Sequence, residues 1–272
     1  TKESPVNFSY VLLAQKIPAT NTRITGGVYA RSDNDQFFPD FIQGIQEARS
    51  SIDIMLYIFD TDDYAIQIAD LLKQRSQEVR VRVMIDEAAS YQSSLLDPQS
   101  PQAAGHRPPA SIVDYLRRGS KIEVRPMAMP ALSATHTKMI IIDGSRGWLG
   151  GMNIGREYRC DWHDMMTEVN GPLIGWMQRS FARSWAHNGW LGDLGELLAR
   201  TRTSKAAATR IPVPAGAVPV RPLRGSAIHS DIRESQFAAL RSARQAVWVQ
   251  NAYITDSRYI AALIAARYRG VD

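Results

Sequence analysis

A single cysteine, Cys160, occurs in 272 residues. No intrachain disulfide framework is available, and no Cys/His cluster of the zinc-binding kind can be assembled from the sequence. Long apolar runs are also missing. A membrane-spanning helix needs about 18 to 20 consecutive apolar residues, and the best N-terminal candidate, Tyr10 to Ala14, is far shorter. The sequence starts at Thr1 rather than at a methionine, so a removed signal peptide or anchor is compatible with it. Basic residues interleaved with aromatics, the pattern that stacks nucleic-acid bases, are not evident.

What is present supports a core: 44% of residues are apolar, enough for one large or two modest domains. The formal charge of +5 favours anionic partners and leaves phospholipid surfaces and nucleic acids both open.

Periodicity alternates along the chain. A helix is expected through Phe41, Ile45 and Ala48, and a strand from Ile52 to Phe59. A helix through Ile68, Leu71 and Leu72 and a strand from Val79 to Ile85 follow. The same order returns near the C-terminus: a helix through Phe237 and Leu240, a strand from Val247 to Ile254, and a helix from Tyr259 to Arg267. Local echoes tie the copies together. Ala48-Arg49 before Ile52 matches Ala243-Arg244 before Val247, and Tyr57-Ile58 before Asp60 matches Tyr253-Ile254 before Asp256. Between them, 200–225 carries Pro212, Pro214, Pro219 and Pro222 with several basic residues and no acid, the composition of an extended linker. The expected organisation is an extension over 1–36, a first repeat over 37–199, a linker over 200–230 and the start of a second repeat over 231–272.

The chemistry concentrates in Thr135-His136-Thr137-Lys138-Met139-Ile140-Ile141-Ile142-Asp143. The β-branched run argues strand, so His136 and Lys138, two apart, point the same way. Asp143 lies at odd spacing and suits a structural carboxylate at the Asp143-Gly144 turn better than a proton shuttle. A short strand at Trp148-Leu149 leads into Gly150-Gly151-Met152-Asn153-Ile154-Gly155. Glycines there let backbone approach a ligand, and the Asn153 amide can donate to an anionic oxygen, which together make a phosphate cradle.

The pattern His136-x-Lys138-x-x-x-x-Asp143 followed by Gly150-Gly151-x-Asn153 resembles the signature of the phospholipase D superfamily. It is similar in particular to the bacterial cardiolipin synthase and phospholipase branch, whose members show a Gly-Gly-x-Asn-Ile-Gly-x-x-Tyr run like the one that ends at Tyr158 here. Trp162, Asp164 and Gly171-Pro172 fit the continuation, and Leu173, Met177, Phe181 and Trp185 then form a core stripe on a helix closed by Asn188-Gly189. Thr135, and a Pro126 to Ala134 stretch without the Arg/Asn-rich lead-in of many cardiolipin synthases, depart from the branch and leave the substrate open.

The resemblance implies an α/β fold of the phospholipase D type, a mixed sheet flanked by helices, with a pseudo-twofold repeat of which the second copy is incomplete. It implies a covalent phosphohistidine on His136, with Lys138 and Asn153 neutralising phosphate oxygens, so that no metal and no other cofactor is expected. Asp164 stands at the spacing of the carboxylate that orients the histidine, with a solvent-facing loop aspartate as the alternative. The implied partners are an anionic phospholipid and a membrane surface, with peripheral association or a removed anchor in a bacterium. A nuclease of the same superfamily and an inactive lipid-binding homologue remain alternatives.

The general acid would come from a second His/Lys motif. From Val79 to His136 is 57 residues, so a repeat in phase with Val271 would place the second histidine near about position 328. His106, His187 and His229 lack the companion lysine. Either further sequence supplies the second half, or two copies pair; the first is favoured because the second repeat has already begun.

Overall fold

The computed structural model describes residues 24–31, 34–96, 98–127, 136–188, 218–220, 222–223, 225, 230–249, 251 and 253–272. Thr135, Gly189, His229 and most of the expected linker and N-terminal extension lie outside the described residues.

In chain order the elements are β1 (Ile24–Arg31), α1 (Asn34–Glu47), β2 (Ser51–Leu56), α2 (Asp63–Arg75), β3 (Arg80–Ile85), α3 (Glu87–Ser93), α4 (Ile112–Arg117) and β4 (Glu123–Pro126). Then come β5 (Lys138–Ile142), β6 (Arg146–Gly150), a π-helical turn (Glu157–Asp161), β7 (Met166–Asn170), α5 (Leu173–His187), β8 (Val218–Val220), α6 (Asp231–Ser242) and α7 (Ser257–Tyr268). The strands form one mixed eight-stranded sheet in the order β4-β3-β2-β5-β6-β7-β1-β8. β4, β3 and β2 are parallel, joined by helical crossovers, and from β2 onward the neighbours are antiparallel.

Strand alternation divides the core. Ile140 and Ile142 of β5 join Ile52, Ile54, Val81 and Val83 on the face covered by α1, α2 and α4, through Phe41, Ile45, Ile68, Leu72 and Leu116. Met139 and Ile141 point oppositely, with Met55 and Met84, onto α5. The α5 stripe of Leu173, Met177, Phe181 and Trp185 is buried, as its four-residue spacing requires. Central strand β5 is thus packed on both sides, and all five of its residues are buried.

Three differences from the sequence expectations have local causes. First, 24–31 is not an extension: it is β1, paired with β7 and β8, and Gly26-Gly27 in its middle disguise a strand as a loop. Second, Val218–Val220, inside the expected linker, is the edge strand β8, where Pro219 is tolerated because an edge residue can face its nitrogen away from the ladder. Third, the described residues of 247–254 form no strand. Only Val247 N–H to Asp272 O and Asp272 N–H to Gln245 O, both 2.8 Å, begin a ladder there. These echo the start of the β2 and β3 pair, where Arg80 N–H donates to Ser50 O at 3.1 Å. The chain divides into a unit containing 24–220 and a unit containing 221–272. In the latter, Ser230 and Asp256 cap α6 and α7, and Trp248, Tyr253 and Tyr268 are exposed.

Candidate active site

His136 stands just before β5, and Lys138 is its first residue. The shared direction expected from their spacing is seen as a contact: Lys138 Nζ donates to His136 Nδ1 at 3.0 Å and to the His136 carbonyl at 3.1 Å. Lys138 is 2% exposed. Burial drives its ammonium down to about 8, and the negative charge of Asp164 counteracts part of that. His136 is also pushed below the ordinary histidine value, first by burial and then by the Lys138 charge, while Asp164 pulls the other way. Both cationic forms are therefore disfavoured in the resting site.

Tyr57 completes this corner, and the motif does not announce it. Its ring centroid is 4.6 Å from that of His136, and Lys138 Nζ lies 5.0 Å from the Tyr57 ring centre. The signal that could have found it is strand register. Met55 opposes Met139 across β2 and β5, so continuing that register carries Tyr57 to the same end of the sheet as His136.

The glycine run after β6 is pinned to the segment after β2. Ile154 N–H donates to Ile58 O at 3.3 Å and Asp60 N–H to Ile154 O at 2.9 Å. Arg156 then clamps the loop to the start of α2 through a bidentate ion pair with Asp63, both contacts 2.6 Å. Asn153 is buried, and its Oδ1 accepts the Ile58 N–H at 2.9 Å. This bond fixes the amide orientation and leaves Nδ2 as the end able to donate. Tyr158 is the neighbour of that amide; burial raises its hydroxyl to about 12, and the Asn153 hydrogen bond opposes the shift.

Gly150 and Gly151 are places where no side chain fits. A Cβ on Gly150 would lie 2.2 Å from the Met165 carbonyl oxygen, and one on Gly151 would lie 2.1 Å from Asp164 Oδ1. Asp164 thus packs against the glycine run, with Oδ1 accepting the Met165 N–H at 2.7 Å. It acts on His136 and Lys138 through its charge. The hydrogen bond on His136 Nδ1 comes from Lys138.

Asp143 lies away from this group, beyond the opposite end of β5. Its carboxylate accepts the N–H groups of Arg49, Ser50 and Ser51 at 2.8, 2.7 and 3.0 Å, and the Ser50 hydroxyl at 2.9 Å. Burial alone would raise its pKa, but these donors outweigh burial and hold it below the ordinary value. It adopts a left-handed backbone with φ 52°, and Gly144 follows with φ 60°, the pairing that a tight Asp-Gly hairpin turn demands. Asp143 staples the hairpin to the entrance of β2, at the far end of β5 from His136 and Lys138.

The structure therefore brings together His136, Lys138, Asn153, Gly150, Gly151 and Asp164, adds Tyr57, and sets Asp143 apart. Among the described residues, no group of three or more His, Cys, Asp or Glu side chains is placed to hold a metal ion. A buried ammonium, a buried amide and an imidazole thus gather at one end of the central strands of the mixed sheet.

The chain belongs to the cardiolipin synthase, PLD-like domain family, whose model matches residues 41–185. It is 26% identical to cardiolipin synthase of Halalkalibacterium halodurans, covering 99% of this chain and 49% of that protein. It is 27% identical to cardiolipin synthase 2 of Bacillus anthracis, covering 96% of this chain and 49% of the relative. The chain thus spans about half the length of the curated relatives it matches. Among solved structures, phosphatidylserine synthase from Haemophilus influenzae Rd KW20 aligns with a TM-score of 0.61 at 11% identity, over 91% of this chain and 61% of that one. That likeness shows the fold.

Proposed function

We propose that this chain provides a phosphatidyl-transfer half-site that acts on phospholipids at a membrane surface, as in a cardiolipin synthase. The observation that carries the reading is the buried Lys138 ammonium, 3.0 Å from His136 Nδ1 beside the Asn153 cradle. Among the described residues no carboxylate lies within ion-pair distance of this ammonium, and a phosphodiester oxygen would supply the missing negative charge. The names of the bacterial relatives support phospholipids as the source of that oxygen.

With Nδ1 engaged by Lys138, Nε2 is the nitrogen free to reach phosphorus. As substrate binds, Lys138 transfers its hydrogen bonding to a phosphate oxygen and the ring proton settles on Nδ1, with Asp164 the nearby negative charge that favours it. Nε2 then forms the N–P bond while the P–O bond to the head-group alcohol breaks. Lys138 and the Asn153 amide stabilise charge on the remaining oxygens. The departing alkoxide needs a proton, and we assign it to a second half-site, supplied by further sequence or by a second copy. An entering alcohol then displaces His136 from phosphorus, giving up its proton to that same acid-base group.

Among the described residues no helix is long and apolar enough to cross a membrane; peripheral binding of anionic lipid by the net charge of +5 suits the reading. The test is incubation of the protein with vesicles of radiolabelled phosphatidylglycerol, followed by peptide mapping and lipid analysis. Label on His136, absent in His136→Ala, together with cardiolipin as product is the expected result. Phosphatidic acid as the sole product would make the protein a hydrolase, and chelator-resistant DNA cleavage without lipid turnover would make it a nuclease.

A further inference from the structure

The parallel strands β2, β3 and β4 end level with one another. Leu56, Ile85 and Pro126 are partners across the two ladders. The residues that follow, Tyr57, Asp86 and Met127, therefore form a row along the carboxyl edge, where open α/β sheets take their ligands. Tyr57 is the ring against His136. Asp86 and Met127 stand one and two strand spacings further on, each spacing about 4.8 Å. They line a cavity of about 450 Å³ together with Thr61, Tyr91 and Ile112.

Asp86 is 1% exposed. Its Oδ1 accepts the Ala89 N–H at 2.9 Å and caps α3, while its Oδ2 is buried without a hydrogen-bond partner. A carboxylate oxygen at this depth costs free energy until a donor reaches it. The phosphate chemistry assigned to His136 and Lys138 makes no use of it. The cavity sets this acceptor among further polar side chains, Thr61, Glu87 and Ser111, and apolar wall from Ile112 and Met127, which suits a short polyol. From the His136 ring to Asp86 is roughly 10 Å, two strand spacings, a span that a phosphoester and a three-carbon polyol can bridge.

We propose that this cavity is the alcohol subsite, holding the glycerol unit that leaves or enters at phosphorus, with Asp86 Oδ2 accepting a hydrogen bond from a glycerol hydroxyl. The assignment rests on the phosphatidyl-transfer reading and deepens it. Leaving and entering alcohols share one in-line position, so the subsite governs how the phosphatidyl-enzyme partitions between competing alcohols, whichever lipid loaded it.

Asp86→Asn keeps the N-cap, which Asn fills as well as Asp, but turns the free acceptor into a donor. Ala88→Trp narrows the cavity from its exposed rim and leaves Asp86 in place. With glycerol and ethanol in competition, the wild-type protein is expected to favour glycerol, and both variants to lower the glycerol-to-ethanol product ratio by about 10-fold. An unchanged ratio in both variants would overturn the subsite, as would a wild-type preference for ethanolamine over glycerol. Saturation-transfer NMR with glycerol alone separates this idea from the reading beneath it. A wild-type signal lost in Asp86→Asn supports the subsite even if no phospholipid is turned over. No wild-type signal refutes the subsite and leaves lipid turnover standing.

Discussion

Lys138 is where stability and activity oppose each other. Burial favours its neutral form, yet the proposed phosphate recognition needs the ammonium. Activity should therefore fall as pH rises through about 8, where Lys138 loses its proton. His136 must be unprotonated to attack, so the acid limb of kcat/KM should lie below the ordinary histidine value of 6.5, because burial and Lys138 depress its pKa. A pH profile of kcat/KM measures both limbs. Lys138→Met should reduce turnover by about 10²- to 10³-fold, the loss typical of one charge-stabilising donor. Its melting temperature should stay level or rise, since a buried cation has been replaced by an apolar chain of similar length. A marked fall in melting temperature would show that the ammonium stabilises the fold.

Asp143 behaves in the opposite sense. It has a depressed pKa, so its contribution to stability is fully present above the ordinary carboxylate value of 3.8 and is lost as pH falls through the lower folded-state value. Asp143→Asn keeps a residue that tolerates the left-handed turn but weakens four charge-assisted bonds. It should cost about 2 kcal/mol in denaturant titration, with kcat of the folded fraction little changed.

At the scale of elements, the loop after β6 places Asp164 through what it leaves out. A methyl group on Gly151 would occupy the space of the Asp164 carboxylate. Gly151→Ala should therefore push Asp164 aside and remove its support for the Lys138 proton, moving the basic limb of the pH profile below 8. An unshifted limb, with activity merely lowered, would show that Asp164 is not electrostatically coupled to the lysine.

Elements with a strong period were legible before the structure. β2, β3, α2 and α5 carry regular apolar spacing, and the pairing of His136 with Lys138 follows from a two-residue repeat. β1 was hidden by its paired glycines and β8 by Pro219, residues that read as loop until a neighbouring strand supplies their hydrogen bonds. The tertiary parts of the site were hidden for the same reason. Tyr57 meets His136 only through the register of β2 against β5, and Lys138 hydrogen-bonds the His136 ring because the two residues, two apart, share a face at the start of β5. Spacing along a chain reports which residues share a face, but not which partner arrives first.

For the whole molecule, the formal charge of +5 would draw the proposed phosphatidyl transferase toward anionic membranes. Association with vesicles rich in anionic lipid should weaken steadily as salt is raised from about 0.05 to 0.5 M, as Debye screening shortens the reach of surface charge. Sedimentation of protein with vesicles measures it; salt-independent binding would point to apolar insertion in place of charge.

The hairpin of β5 and β6 has a consequence for how such sequences diverge. Its proposed chemistry sits at one end and its anchor at the other, about 17 Å apart along five residues of strand. Selection on the two ends is separable: a descendant that abandons phosphate chemistry can shed His136 and Lys138 while the staple at Asp143 is still needed to hold the strand in place. Surviving aspartates in decayed copies of the motif would then be fossils of architecture, and counting them as remnants of catalysis would overstate how many such proteins are enzymes.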